Sequence, residues 1–224
     1  MAHEQLGLTN DELLSTTRAV RKRLDLDRPV GMDVIRECLE LAVQAPTGSN
    51  AQGWQFVFVT DADKRRRIGE YYRQAYAIYR DMPVAIHKLH QGSGDAQLTA
   101  SQARSAASAD YLADNMGQAP VLMIPCIAGR TDNPEGAMAF AQTAVLGSVI
   151  PAAWNFMLAA RARGLGTAWT TLHLMHEREI AELLGIPYAD FMQVALMPIA
   201  YTKGTSFKPA YRPPIDSVMH VNAW

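Results

Sequence analysis

AVQAPTGSNAQGWQFVFV, residues 42–59, decides how the rest of the chain is laid out, because a helical pattern stops, a small polar turn follows and an aromatic strand begins. Pro46 cannot continue a helix and pushes the residue before it toward extended geometry, so the helix upstream is expected to end near Gln44 or Ala45. Thr47, Gly48, Ser49 and Asn50 then supply backbone N–H groups, hydroxyls and an amide in a short run, with Gly48 free to take angles other residues avoid. Trp54, Phe56 and Phe58 alternate with Gln55, Val57 and Val59, the pattern of a largely buried strand. Two readings of the turn stay open: a helix-to-strand connection, or a grip for a polar, planar ligand.

The 224 residues fit a single domain with a sizeable core. Hydrophobic residues make up 49% and charged residues 19%, an apolar excess of the sort that often covers a subunit interface, and the net charge of −1 argues against a polyanion such as nucleic acid as partner. The polar start MAHEQLGLTNDELL does not read as a signal peptide, and no apolar run is expected to approach the roughly 18 residues that span a bilayer. These features predict a cytoplasmic protein with no membrane partner. Cys38 and Cys126 have no CxxC partner and no ligand-like spacing to histidine, so both read as buried free thiols and no metal site is expected.

Around the opening stretch the other elements fall into place. Thr9 or Asn10 caps a short first helix, whose C-terminal end delivers Thr16 to Arg23, with four basic residues among them. That cluster is either a solvated helix end or an anion site, since two arginines three apart converge on phosphate. Asp33 begins the helix that presents Ile35, Leu39, Ala42 and Val43 on one face. Asp61 caps a third helix, in which residues 64–67 (KRRR) read as wet surface and Ile68, Tyr71 or Tyr72, Ala75 and Ile78 or Tyr79 as the inner face. Residues 82–118 shift to Ala, Ser, Gln and Gly, with Gln91-Gly92-Ser93-Gly94 as a breaker and a weakly periodic helix near 96–116, the composition of a lid or excursion.

Residues 119–128 (APVLMIPCIA) read as a strand buried on both faces. The longest helical pattern, residues 135–163, is free of charge from Gly136 to Ala160, which makes it the central helix and the candidate subunit interface; Gly147 and Pro151 are expected to bend or divide it. Gly164 closes it and a glycine-rich exit, GLGTAWTT, follows. His173 and His176 lack a third ligand and are expected at a helix cap or on the surface. A short helix at 177–184, a strand within 191–202 and a proline-rich tail complete the chain, the tail requiring another surface to order it, such as a second subunit.

Thr17-Arg18-Ala19-Val20-Arg21, the opening stretch, GLGTAWTT and the tail motif KPAYRPP, in that order and spacing, resemble the nitroreductase family of flavin enzymes. The resemblance covers most of the chain outside residues 82–118. It implies an α+β domain over residues 1–224, with a mostly antiparallel central sheet flanked by helices, forming an intertwined homodimer with two FMN sites. Arg18 then matches the phosphate anchor and Arg21 the cation at the pyrimidine end, with Ala19 between them. Pro46, Thr47, Gly48, Asn50 and Gln52 match the segment that reaches the ring from the partner subunit. Leu165, Gly166, Thr167, Trp169 and Thr170 match the loop beside flavin N5, where a backbone N–H stabilises negative charge without a side-chain acid. Lys208 and Arg212 match the basic residues that return to the phosphate.

The chain departs from the family in two places. Where two arginines and a serine are usual it has Thr17, Arg18 and Ala19, so one phosphate contact is lost or passes to the Thr17 hydroxyl. Where many relatives have Gln-Pro-Trp it has Gln52-Gly53-Trp54. The resemblance further implies hydride transfer from NADH or NADPH to an electron-poor acceptor such as a nitroaromatic or quinone, with no catalytic side chain singled out. Dehalogenation, flavin fragmentation, ring dehydrogenation and a flavin-binding protein with little turnover are the rival readings. No Ser-His-Asp set, Walker loop or strand-linked GxGxxG points elsewhere.

Overall fold

The computed structural model describes residues 3–89, 91–92, 94–132, 139–212 and 214–223. Helix α1 (Asn10–Thr16) starts in a capping box, with Thr9 Oγ1 accepting from Glu12 N at 3.2 Å and Glu12 Oε2 accepting from Thr9 N at 2.8 Å, so Thr9 rather than Asn10 is the cap. The helix stops at Thr16 and its last turn holds no basic residue. The cluster at 18–23 therefore lies beyond the helix, and dipole complementation does not explain it.

Helix α2 (Met32–Ala42) buries Val34, Ile35, Cys38 and Ala42. Val43, expected on that face, is the exposed C-cap. Strand β1 (Trp54–Val59) and helix α3 (Ala62–Asp81, capped by Asp61 through Lys64 N) match the sequence reading; α3 turns Tyr72 rather than Tyr71 fully inward and leaves Ile78 outside. Arg66 and Arg67 pair on the surface with Asp63 and Glu70 one turn away. Helix α4 (Ala96–Asn115) fills most of the segment read as a lid, with Asp95 Oδ1 accepting from Gln97 N at 2.8 Å and Leu98 N at 2.9 Å. Of the breaker before it, Ser93 lies outside the described residues.

Among the described residues the strands form one antiparallel sheet in the order β1, β2 (Val121–Ala128), β5 (Met197–Tyr201), β3 (Leu165–Thr167), with β4 (Phe191–Gln193) also on β2. The chain is α+β, as expected. The predicted single strand within 191–202 is two. Cys126 faces Gln193 but Met123 faces Met197, so one extra residue on the 191–201 side makes a bulge. The freed residues turn toward Thr170, which exchanges backbone bonds of 2.8 and 3.2 Å with Leu196.

Alternate side chains of β2 enter two cores, which is why its sequence lacks alternation. Val121 and Met123 pack with α2 and with Ala153, Phe156 and Met157 of α5 (Ala139–Ala162). Leu122, Ile124 and Cys126 pack with Ile68, Tyr72 and Tyr76 of α3, Leu112 of α4 and Ile180 of α6 (Glu177–Leu184). Both cysteines are buried free thiols, and burial pushes Cys38 up to about 11 and Cys126 up to about 12. Helix α3 crosses the turn after α4 so closely that a Cβ on Gly69 would stand 2.7 Å from Gly117 N, backbone that cannot step aside.

Helix α5 narrows one expectation and corrects another. It is not divided, running as one element through Gly147 and Pro151, and by length and composition it is apolar enough to cross a bilayer, contrary to the expectation that no run approaches that length. Here one side is core, with Phe156 fully buried, while Phe140, Ile150 and Trp154 are exposed at helical spacing on the other. The predicted start of this helix, at 133–135, lies outside the described residues. His173 is likewise not at the surface: it is fully buried, and desolvation holds the ring neutral with its pKa pushed down to about 3.

Candidate functional site

After α1 the chain straightens, and this positions the arginines. Val20 N donates to Thr167 O at 2.8 Å and Ala19 makes an isolated parallel bridge to Thr167, so the chain passes alongside β3 at this point. Val20 and Leu24 point into the core, while Arg18 and Arg21 stand at a cavity of about 640 Å³. Arg212 from the tail reaches the same space, together with the hydroxyl-bearing Ser15, Thr17, Ser101 and Ser105 and the indoles of Trp154 and Trp169.

Two smaller spaces adjoin it, of about 450 and 350 Å³, and Arg21 and Ser105 border all three. The first adds Arg104, Lys208 and Ser108; the second is aromatic, walled by Tyr72, Tyr76, Tyr79 and Trp169, with Thr170 at its edge. No described carboxylate lines any of the three.

Arg21 is the least solvated cation of the group. Burial lowers its pKa from the ordinary arginine range, Nη1 reaches only Ser108 Oγ at 3.3 Å, and Nε is buried without a partner. A half-buried guanidinium without a carboxylate is costly to desolvate and well matched to an anionic or carbonyl-rich ligand. Arg18 Nη1 donates to Lys208 O at 3.0 Å, which ties the first basic segment to the tail, and Arg212 Nη1 donates to its neighbour's carbonyl, Tyr211 O, at 2.8 Å. The Thr17 hydroxyl donates to Leu13 O at 2.6 Å, so its proton is already used within α1 and it is a poor replacement for a missing phosphate donor.

Within its own chain the tail is tied down as far as residue 212. Arg23 donates to the carbonyls of Lys203, Gly204 and Ser206 at 3.0, 2.6 and 2.8 Å and stacks on Phe207 at 4.0 Å. Arg161 approaches the same ring at 4.9 Å. The Tyr211 hydroxyl donates to Asp95 Oδ2 at 2.6 Å, fastening the tail to the start of α4. Beyond this, Ile215, Val218, Met219 and Val221 are all exposed.

One chain thus brings together Arg18, Ala19, Arg21, Trp169, Thr170, Lys208 and Arg212. Leu165, Gly166 and Thr167 are interior: a Cβ on Gly166 would meet Thr202, Leu24 and Val20 at 2.8 to 3.0 Å, so this glycine serves close packing. Pro46, Thr47, Gly48, Asn50 and Gln52 border none of the three spaces. Their turn sits on α5, with Gly48 N donating to Ser148 Oγ at 3.2 Å. The strain there falls on side-chain-bearing residues, Ser49, Asn50 and Gln52 having φ of 54°, 54° and 49°, and not on Gly48. Gln52 N donates to Thr47 Oγ1 at 3.2 Å and Gln52 Nε2 to Asn50 Oδ1 at 3.0 Å, which holds the strained turn in shape.

Sequence reasoning passed over Ser101, Arg104, Ser105 and Ser108 of α4 and the tyrosines of α3. The signal was present as serine at helical spacing in a helix of weak apolar periodicity, a face that lines a polar cavity rather than a core.

The chain resembles several proteins of known structure. A BluB-like flavoprotein from Clostridium difficile 630 aligns with 18% identity over 96% of this chain and 99% of its own, with a TM-score of 0.69. Iodotyrosine deiodinase, solved with FMN and 3-iodo-L-tyrosine, aligns with 20% identity over 88% and 91%, TM-score 0.62. At these identities the likeness is one of fold. In sequence, YodC of Bacillus subtilis, which carries a provisional assignment as an NAD(P)H nitroreductase, is 27% identical over 162 residues, 71% of this chain and 75% of YodC. Residues 14–201 match the profile of the Nitroreductase family, a span that holds β1 to β5 and all of α1 to α6 except the first turn of α1. The chain belongs to the Nitroreductase family, and so to its flavoprotein oxidoreductases.

Proposed function

We propose that this protein is an FMN-dependent oxidoreductase that takes hydride from NADH or NADPH and passes it to an electron-poor acceptor, such as a nitroaromatic or a quinone, in a homodimer with two equivalent sites. The observation that carries this reading is the convergence of Arg18, Arg21, Lys208 and Arg212, from opposite ends of the sequence, on connected cavities without a lining carboxylate. A phosphate dianion and an oxygen-rich ring edge are what such a cationic cradle lacks. When bound, the flavin supplies the hydride chemistry, and the protein's part is binding, orientation and exclusion of water.

Arg18 and Arg212 hold the phosphate, and Arg21 offers its unpartnered Nε–H and positive charge to the pyrimidine edge. At the opposite wall the Thr170 N–H is committed to Leu196 O, which leaves the N–H of Trp169 as the backbone donor for the central ring. Trp154 and Trp169 supply flat apolar walls that keep water from the ring faces. The strained turn at 46–52 borders none of its own chain's three spaces: it sits on α5 at Ser148, about 9 Å along the axis and roughly a third of a turn round the helix from Trp154. Assembly through the exposed side of α5 carries that turn to the site of a second copy, and Phe140, Ile150 and Trp154 are the apolar contacts available for it.

The test is direct. The purified protein is expected to be yellow, or to bind added FMN, and to oxidise NADH or NADPH with a nitroarene or quinone as acceptor. Reduction of bound flavin without acceptor turnover would mark a binding protein, and failure to take up FMN would end the proposal altogether.

A further inference from the structure

The tail segment that carries Lys208 and Arg212 to the cavities is fastened by side chains. Among the described residues no backbone-to-backbone hydrogen bond holds 204–212. The carbonyls of Gly204 and Ser206 accept from Arg23 instead, and that of Lys208 from Arg18. From 203 to 209 every residue is exposed except Phe207, which is half-buried. A segment so held, with one inward side chain, belongs to the low-stability end of a fold. Phe207 meets two arginines, Arg23 at 4.0 Å and Arg161 at 4.9 Å from the ring centroid. Arg161, in the last turn of α5, is only 4% exposed. Its Nη2 reaches Thr16 Oγ1 at 3.3 Å, while Nε and Nη1 are buried without a partner in the chain. Burial, and then the charge of Arg23, push its pKa down. Two like charges are thus gathered at one ring, and the ring is what offsets them within the chain. Thr16 is flanked by Ser15 and Thr17, both on the wall of the 640 Å³ cavity, so the cationic pair lies just behind that wall.

Resting on the FMN reading above, we propose that residues 203–212 form a strap clamped at Phe207 by Arg23 and Arg161, and that closing the strap and binding FMN stabilise each other. Phe207 touches no cavity and acts as a positioning residue. While its ring is gripped, the bonds from Arg18 Nη1 to Lys208 O and from the Tyr211 hydroxyl to Asp95 Oδ2 keep Lys208 and Arg212 at the cavities. A phosphate bound there returns the favour, because its negative charge offsets the cations gathered behind the wall. Such coupling is reciprocal: whatever loosens the strap weakens FMN binding by the factor by which FMN otherwise tightens the strap.

The experiment uses the full chain, stripped of FMN and reloaded, with trypsin as the probe of the strap. Added FMN should slow cleavage of the parent at the Lys203–Gly204 bond relative to its other tryptic bonds, read by mass spectrometry. Phe207→Leu keeps apolar bulk but removes the ring. It is expected to weaken FMN binding about tenfold by fluorescence quenching, the loss that a partly desolvated cation–π contact implies, and to speed cleavage after Lys203. Its stripped melting temperature should match the parent's, and Phe207→Tyr, which restores the ring, should restore both affinity and protection. Parental FMN affinity in Phe207→Leu overturns the clamp and leaves the FMN reading standing. So does a parent that binds FMN without protection at Lys203–Gly204, and so does a Phe207→Tyr variant as weak as Phe207→Leu. A parent that takes up no FMN overturns the earlier reading, and this one with it.

Discussion

Arg21→Met separates a residue kept for a ligand from one kept for the fold. Arg21 is half buried, touches one serine hydroxyl at 3.3 Å and has Nε buried without a partner in the chain, with no carboxylate to offset its desolvation. Methionine keeps the length and most of the apolar packing of the stem while removing the charge. The empty protein should therefore be unchanged or slightly more stable, since an uncompensated polar group is removed from a partly dry site. FMN binding should weaken by about 1.5 to 3 kcal/mol, the range for a hydrogen bond to a charged group, or roughly 10- to 150-fold in Kd.

The two effects are read in one design. Quenching of flavin fluorescence on adding FMN to stripped protein gives the affinity, and melting with and without FMN gives both stabilities. At a fixed FMN concentration the stabilisation by ligand equals RT ln(1 + [L]/Kd), so the variant should lose much of the gap between loaded and stripped melts while its stripped melt holds. The opposite pattern, a lower stripped melting temperature with unchanged FMN affinity, would show that Arg21 supports the contact between residues 18–21 and α4 and would remove it from the site.

Three further outcomes follow from other parts of the fold. Phe156→Ala, at a fully buried position between α2 and the sheet, should cost about 3 to 5 kcal/mol in urea unfolding with m unchanged. The Glu37 carboxylate is held well below its usual range, to about 2, chiefly by hydrogen bonds from His3 and also by Arg163, so its contribution is present above the unfolded pKa and disappears as pH falls from about 4.5 toward 2; Glu37→Gln should flatten the melting temperature across that window. Ile150→Glu, on the exposed side of α5, should yield a folded monomer by light scattering that retains little FMN, and a fully loaded dimer from this variant would exclude that side of the helix as the interface.

What the sequence could disclose depended on whether each signal was local. The capped helices, the buried strand at 121–128 and the glycine closing α5 are written in neighbouring residues, and the structure places them close to where the sequence does. The bulge between β4 and β5 was hidden because residues 194–200 are apolar throughout: periodicity cannot register a one-residue shift when neither face is polar. His173 was misplaced for a related reason. A lone histidine in a short helical turn carries no pattern of its own, and its complete burial comes from elements distant in sequence.

The basic cluster at 18–23 was legible as cations but not as geometry. The end of α1 at Thr16 and the parallel bridge of Ala19 to Thr167 show that these residues leave the helix and pass beside β3, with Val20 and Leu24 in the core and Arg18 and Arg21 at the cavity. The serines of α4 make the converse point. Their helix looked featureless because apolar periodicity registers only faces that pack against a core, and α4 turns this stripe toward arginines instead. A helix with few apolar residues to bury, and with hydroxyls repeated at its own pitch, marks a face that lines a polar cavity. Exchanging Ser101, Ser105 and Ser108 together for alanine should leave α4 folded, since alanine is the stronger helix former, while weakening FMN binding as read by quenching of flavin fluorescence.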